Sequence, residues 1–193
     1  DKNASGTPKT VSLTGSSIAG IDSGNYTLSL TGAPTASANL TARPITVTAV
    51  TGTKVYDGTT SSAGVPTITT GALQGTDSVA WTQTYDNNNI GSGNKTMTAA
   101  GTVSDVNSGL NYSVTFATNT TGSITAKSLT IGGTFTANNK VYDATTSATI
   151  LVNSLTLTGV VGAETVTLTP VLVFADKNAS GTPKTVSLTG SSI

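Results

Sequence analysis

Residues 1–18 read DKNASGTPKTVSLTGSSI, and residues 176–193 read the same at all 18 positions, an offset of 175. Chance does not produce such a match. The chain is slightly more than one period of a nearly perfect repeat. The period divides again. Lys54-Val55-Tyr56-Asp57-Gly58-Thr59-Thr60 recurs 86 residues later as Lys140-Val141-Tyr142-Asp143-Ala144-Thr145-Thr146. Gly75-Thr76-Asp77-Ser78-Val79 aligns with Gly162-Ala163-Glu164-Thr165-Val166, and Lys95-Thr96 aligns with Lys184-Thr185. Ser108-Gly109-Leu110-Asn111-Tyr112 aligns with Ser23-Gly24-Asn25-Tyr26 with one residue inserted, and Thr125-Ala126-Lys127 aligns with Thr41-Ala42-Arg43. Each unit therefore spans about 86 to 89 residues. On this frame residues 1–44 are the C-terminal half of a repeat unit, 45–128 a complete unit, and 129–193 the N-terminal part of a further one. A frame with boundaries near Asp1 and Asp176 is the alternative.

The repeat is written in strands. Tyr26, Leu28 and Leu30 alternate with Thr27 and Ser29. Tyr112, Val114 and Phe116 alternate at the matching place of the next unit. Ile45, Val47 and Ala49 alternate with Thr46 and Thr48, and Val166 and Leu168 with Thr165, Thr167 and Thr169. A period of two sends one set inward and the Thr/Ser set to solvent. Val, Ile and Thr suit a pleated surface because β-branching restricts them in a helix. Turn signals separate the runs at Asp57-Gly58, Gly91-Ser92-Gly93-Asn94, Asn107-Ser108-Gly109 and Gly181-Thr182-Pro183. Short strands at such spacing predict an all-β protein. Its units are β-sandwich-like (Ig-like), of six or seven strands each, arranged end to end.

Composition limits the chemistry. Nine basic and nine acidic side chains cancel, and charged residues are only 9%. Thr, Ser, Gly and Asn make up 98 of the 193 residues. Cysteine and histidine are absent, which removes a thiol nucleophile, a disulfide, a thiolate metal site and an imidazole base. No basic surplus exists to neutralise phosphates, so no nucleic-acid partner is expected. No apolar run approaches the roughly 20 residues of a membrane-spanning helix, so no membrane insertion is expected.

The motifs in their order resemble the YDG repeat. They are Lys-Val-Tyr-Asp-Gly-Thr-Thr, Gly-x-Asp/Glu-x-Val, Lys-Thr, Ser-Gly-x-Asn-Tyr and Thr-Ala-Arg/Lys. That repeat is found, with the related MBG repeats, in large bacterial exoproteins of the filamentous-haemagglutinin and two-partner-secretion type. The resemblance covers essentially the whole chain. It implies a secreted, surface-attached adhesin or biofilm-matrix protein, with this segment as a non-enzymatic stalk or spacer. Neighbouring repeat units are then its partners. Ala144 departs from the pattern by replacing Gly, so the turn after Asp143 is not expected to require positive φ.

Candidate sites each have a plain structural reading. Lys54, Tyr56, Asp57 and Gly58, with Lys140, Tyr142 and Asp143, form the structural motif. Asp suits an Asx turn, and Tyr a half-buried ring with a bonded hydroxyl. Trp81 and Tyr85, with Phe116, are candidate contacts for an extracellular polysaccharide, against a default of core packing. Asp86-Asn87-Asn88-Asn89 and Asp176-Lys177-Asn178 are the candidates for calcium, although neither has alternating ligand spacing and Lys177 opposes a cation. No cofactor is otherwise expected. A lysine crosslink would draw on Lys54 or Lys140 with Glu164 or Asp77. Sequons at Asn25, Asn94, Asn111, Asn119 and Asn178 follow from composition. Residues 1–44 supply what the partial third unit lacks, so head-to-tail self-association is a further expectation.

Overall fold

Ile45 and Val47 are 2% and 0% exposed, while Thr46 and Thr48 alternating with them stay partly in solvent, so alternation forms the strand that starts the complete repeat. The computed structural model describes residues 1–193 as two compact units. Unit 1 comprises residues 1–54 and 60–124, and unit 2 residues 55–59 and 125–193. In chain order the strands are β1 (Lys9–Val11), β2 (Ala36–Ala38), β3 (Arg43–Thr48), β4 (Thr53–Val55), β5 (Thr67–Thr70), β6 (Ser78–Tyr85) and β7 (Gly91–Ser104). They continue with β8 (Tyr112–Ala117), β9 (Asn119–Thr125), β10 (Thr130–Ala137), β11 (Ser147–Ala148), β12 (Ile150–Thr158), β13 (Leu172–Phe174) and β14 (Val186–Leu188). The chain is all-β, with one short 3-10 turn at Ser23–Asn25.

The complete repeat uses seven strands, β3 to β9, in two sheets. One has the order β5-β3-β8, and the other β4-β9-β7-β6. β3 runs antiparallel to β5 but parallel to β8, from Arg43 opposite Tyr112 to Thr48 opposite Ala117. A parallel pair needs a long crossover, and β4 to β7 lie on the chain between β3 and β8. The buried apolar side chains come from both sheets: Ile45, Val47 and Tyr112 from one, and Trp81, Tyr85, Met97, Ala99, Val103 and Ile124 from the other. Trp81 and Phe116 meet edge to face across them, with ring centroids 5.6 Å apart. This is a sandwich core.

Incomplete copies form less. In unit 1, β1 and β2 make a two-stranded antiparallel sheet in which every residue but Lys9 is exposed. The strand expected at Tyr26–Leu30 does not form, and Tyr26 is 72% exposed. Its counterpart β8 is held by a parallel neighbour, β3, and residues 1–44 contain no copy of that neighbour. In unit 2, β10 pairs with β12, and β11-β13-β14 form a second sheet. The strand expected around Val166 and Leu168 is reduced to a single bridge, Thr169 to Ser192. Leu172 is the one fully buried apolar side chain of this unit. Unit 2 has no counterparts of β8 and β9, whose Tyr112 and Ile124 help to close the core of unit 1.

Candidate functional site

The Lys-Val-Tyr-Asp loop is built the same way twice. Asp57 Oδ1 accepts from the N–H and the hydroxyl of Thr59, both at 2.9 Å. Asp143 Oδ1 accepts from the N–H and the hydroxyl of Thr145, again at 2.9 Å. Each is an Asx turn, in which a short carboxylate replaces a backbone acceptor. The lysines also match. Lys54 Nζ lies 5.4 Å from the centroid of the Tyr85 ring, and Lys140 Nζ 6.0 Å from that of Phe174. These are cation–π distances.

The residue after the aspartate corrects one expectation. Gly58 has φ of 78°, and Ala144 has φ of 63°. The turn demands the left-handed region in both copies, and Ala144 adopts it with a Cβ in place. Left-handed backbone costs an L residue about 1–2 kcal/mol. Ala144→Gly is therefore expected to stabilise unit 2 by about 1 kcal/mol. Chemical denaturation read by amide exchange in β13 and β14 measures this. A destabilised variant would contradict it.

Lys140 holds its loop closely. Its Nζ donates to Asp143 Oδ1 at 2.8 Å, Thr145 Oγ1 at 2.7 Å and Ser147 O at 2.9 Å. The Lys140 bond, helped by the Thr145 N–H, lowers the Asp143 carboxyl to about 2. A depressed carboxyl steadies the fold above its ordinary value of 3.8 and releases that contribution as pH falls toward about 2. A carbon-detected titration of Asp143 is expected to show a midpoint near about 2. Lys140→Met is expected to return it toward 3.8. A parent midpoint at the ordinary value would refute the pairing.

Tyr56 and Tyr142 differ. Within unit 2, Tyr56 Oη donates to Glu164 Oε1 in a short hydrogen bond. That bond, followed by desolvation and the Glu164 charge, raises the Tyr56 hydroxyl above its ordinary value. Gly58 packs close to Val161, where an added Cβ would lie 2.9 Å from Cγ1. Residues of the complete repeat thus rest on residues 161–164 of the following one. Tyr142, in the last copy, is 59% exposed.

Trp81 and Tyr85 are 7% and 4% exposed, so protein atoms cover the rings. The indole N–H of Trp81 has no hydrogen-bond partner. The Asn- and Asp-rich segments place their oxygens around lysine. Asn87 Oδ1 accepts from Lys95 Nζ and from the Asn89 N–H. Asp176 Oδ1 accepts from Lys184 Nζ and from the Asn178 N–H. Asp1 repeats this with Lys9 at 2.5 Å and the Asn3 N–H at 2.9 Å. In each copy a lysine ammonium bonds that side-chain oxygen. Of the acids considered for crosslinking, Glu164 bonds to Tyr56, and Asp77 accepts from Tyr112 Oη at 2.7 Å.

Three structural residues escaped the sequence reading. Lys95 is 5% exposed in β7. Gln83 is 2% exposed in β6. Asp105 accepts from the N–H groups of Asn107 and Gly109 at 2.7 Å and of Asn111 at 3.2 Å. Desolvation pushes its carboxyl up, but those donors outweigh it and hold the group below its ordinary value.

The fold and the loop define a class: tandem β-sandwich repeats, each carrying an Asp-capped, left-handed turn just after its Lys-Val-Tyr segment. The model of the YDG domain matches residues 41–121 and 125–193, and the chain belongs to that family. No curated protein and no solved structure matches it.

Proposed function

We propose that the chain is a non-catalytic stalk or spacer segment of a secreted bacterial surface adhesin or biofilm-matrix protein, of the filamentous-haemagglutinin-like, two-partner-secreted kind. The supporting observation is the seat of the Tyr56 loop on Glu164 and Val161. It ties one repeat to the next through the motif that defines the family. Its mechanism is mechanical. Ladder hydrogen bonds and repeat-to-repeat seats carry tension, and copy number sets reach. An antibody to residues 45–128 is expected to label intact cells of the producing bacterium. Labelling only after lysis would refute the surface location. Stretching the chain between its ends is expected to give discrete unfolding steps, and featureless extension would refute the mechanical role.

Binding of matrix polysaccharide is a second reading. It rests on Tyr142, exposed beside a groove that Asn139, Asn178 and Thr182 help to line. A glycan array without hits would remove it.

A further inference from the structure

Residues 1–5 and 176–180 share the sequence Asp-Lys-Asn-Ala-Ser, yet they are covered differently. Asn3, Ala4 and Ser5 are half-buried, whereas Asn178, Ala179 and Ser180 are exposed. An identical sequence cannot make that difference, so a neighbour does. In unit 1 that neighbour is the loop 105–111 of the complete repeat. The Ala4 N–H donates to Asn111 Oδ1 at 2.7 Å, and Asn107 Nδ2 donates to Ala4 O at 3.1 Å. Asn111 Nδ2 donates to Asn3 Oδ1 at 3.3 Å, and Asn107 Nδ2 also reaches Asn111 Oδ1 at 3.0 Å. Both backbone groups of Ala4 are thus held by side-chain amides, which donate and accept at once.

The loop is shaped for this task. Asp105 gathers the N–H groups of Asn107, Gly109 and Asn111, so one carboxylate fixes the backbone that carries both amides. Between them Ser108 has φ of 56°, a left-handed backbone that a serine keeps only where its surroundings impose it. The aligned loop in residues 20–26 is built differently. Gly20 stands at the place of Asp105, Asp22 at that of Asn107, and no residue matches Leu110. Glycine has no carboxylate to gather N–H groups, and an ionised aspartate has no N–H to give to a carbonyl. The segment that is gripped is common to all three copies, since Asn3 has counterparts in Asn89 and Asn178.

We propose that residues 105–111 are a receptor for a backbone segment of the preceding repeat, and that the shorter loop at 20–26 is not one. Asn107 and Asn111 make the contacts, and Asp105 positions them. The receptor reads the N–H and C=O of Ala4 together with the side-chain amide of Asn3, which fixes the register of the segment it takes. It reaches back along the chain, whereas the Tyr56 loop reaches forward to Glu164. The complete repeat therefore holds a neighbour in each direction, by a different device each time. The inference rests on the tandem arrangement and not on the adhesin reading.

The test is amide exchange in the full chain, which carries its own reference. Ala4 and Ala179 both lie between Asn and Ser, so their unprotected amides exchange at matching rates. Ala4 is expected to exchange more slowly than Ala179 by about tenfold or more. Asn111→Ala removes the acceptor of the Ala4 N–H and is expected to bring Ala4 to the rate of Ala179. Asn107→Asp installs the side chain of the other loop and is expected to speed Ala4 in the same direction. The Met97 amide, in the core of the complete repeat, is expected to keep its rate in both variants. Equal rates for Ala4 and Ala179 in the parent overturn the proposal. So does an Ala4 that stays slow in both variants, or one that speeds up only together with Met97, which would report a loosened fold and no receptor.

Discussion

Gly101→Ala is expected to destabilise the complete repeat by about 2–6 kcal/mol, combining backbone strain with overpacking. Gly101 lies in β7 opposite Trp81, with φ of 138°. A Cβ there would lie 2.1 Å from the carbonyl oxygen of Ala80 and 2.7 Å from Cε3 of Trp81. The carbonyl cannot withdraw without pulling β6 away from β7, and the indole is packed against Phe116. Domains of this size have about 5–15 kcal/mol in total, so the change threatens unit 1 as a whole. Trp81 is the only tryptophan, and its fluorescence during guanidinium unfolding reads this unit alone. Gly6→Ala is the control, since nothing lies within 4 Å of the added atom. Its midpoint is expected to stay within about 0.5 kcal/mol of the parent. A Gly101→Ala midpoint equally unmoved would show that the ladder yields where the geometry says it does not.

The second large effect belongs to Gln83. Its Oε1 accepts from the Val50 N–H at 2.8 Å, and its Nε2 donates to Val50 O at 3.0 Å and to Ser62 Oγ at 3.1 Å. One amide thus satisfies both backbone groups of the residue just beyond β3. Gln83→Leu keeps much of the volume and leaves both groups unpaired. Each unsatisfied buried group costs about 1–3 kcal/mol, so a loss of about 2–6 kcal/mol is expected for the two. Amide exchange at Val50 is expected to speed up more than exchange along β9, which the amide does not touch. A variant as stable as the parent would mean that water takes over both bonds.

The sequence made Gln83 readable, but for the wrong property. It shares parity with Trp81 and Tyr85, and all three point into the core. Attention to side-chain polarity hid what parity showed. Lys95 was missed for the same reason. It stands in line with Met97 and Ala99 in β7, with its stem buried and its ammonium on Asn87. Where alternation coincided with polarity, as at Ile45 and Val47, strand and face were both legible. Pairing was not. Period two says nothing about whether a neighbour is parallel, so the β3–β8 pair could not be read. Nor does it say whether a neighbour exists. Tyr26 to Leu30 has the pattern of β8 and no ladder, because a strand is a property of two segments. The Asx turns were legible because they are local. Ala144 was misjudged because residue identity was allowed to overrule a turn that the surrounding aspartate and threonine impose.

The eighteen duplicated residues keep one strand while changing which side of it is paired. That makes them a neutral site for rearrangement of the gene. A crossover between two copies within this segment removes or adds 175 residues. The product that gains them carries the β6 counterpart before the joint and the β9 counterpart after it, in the registers seen at Phe174 and at Ala38. Length can then grow in whole periods during descent, with a neighbour for the shared strand on each side of the joint.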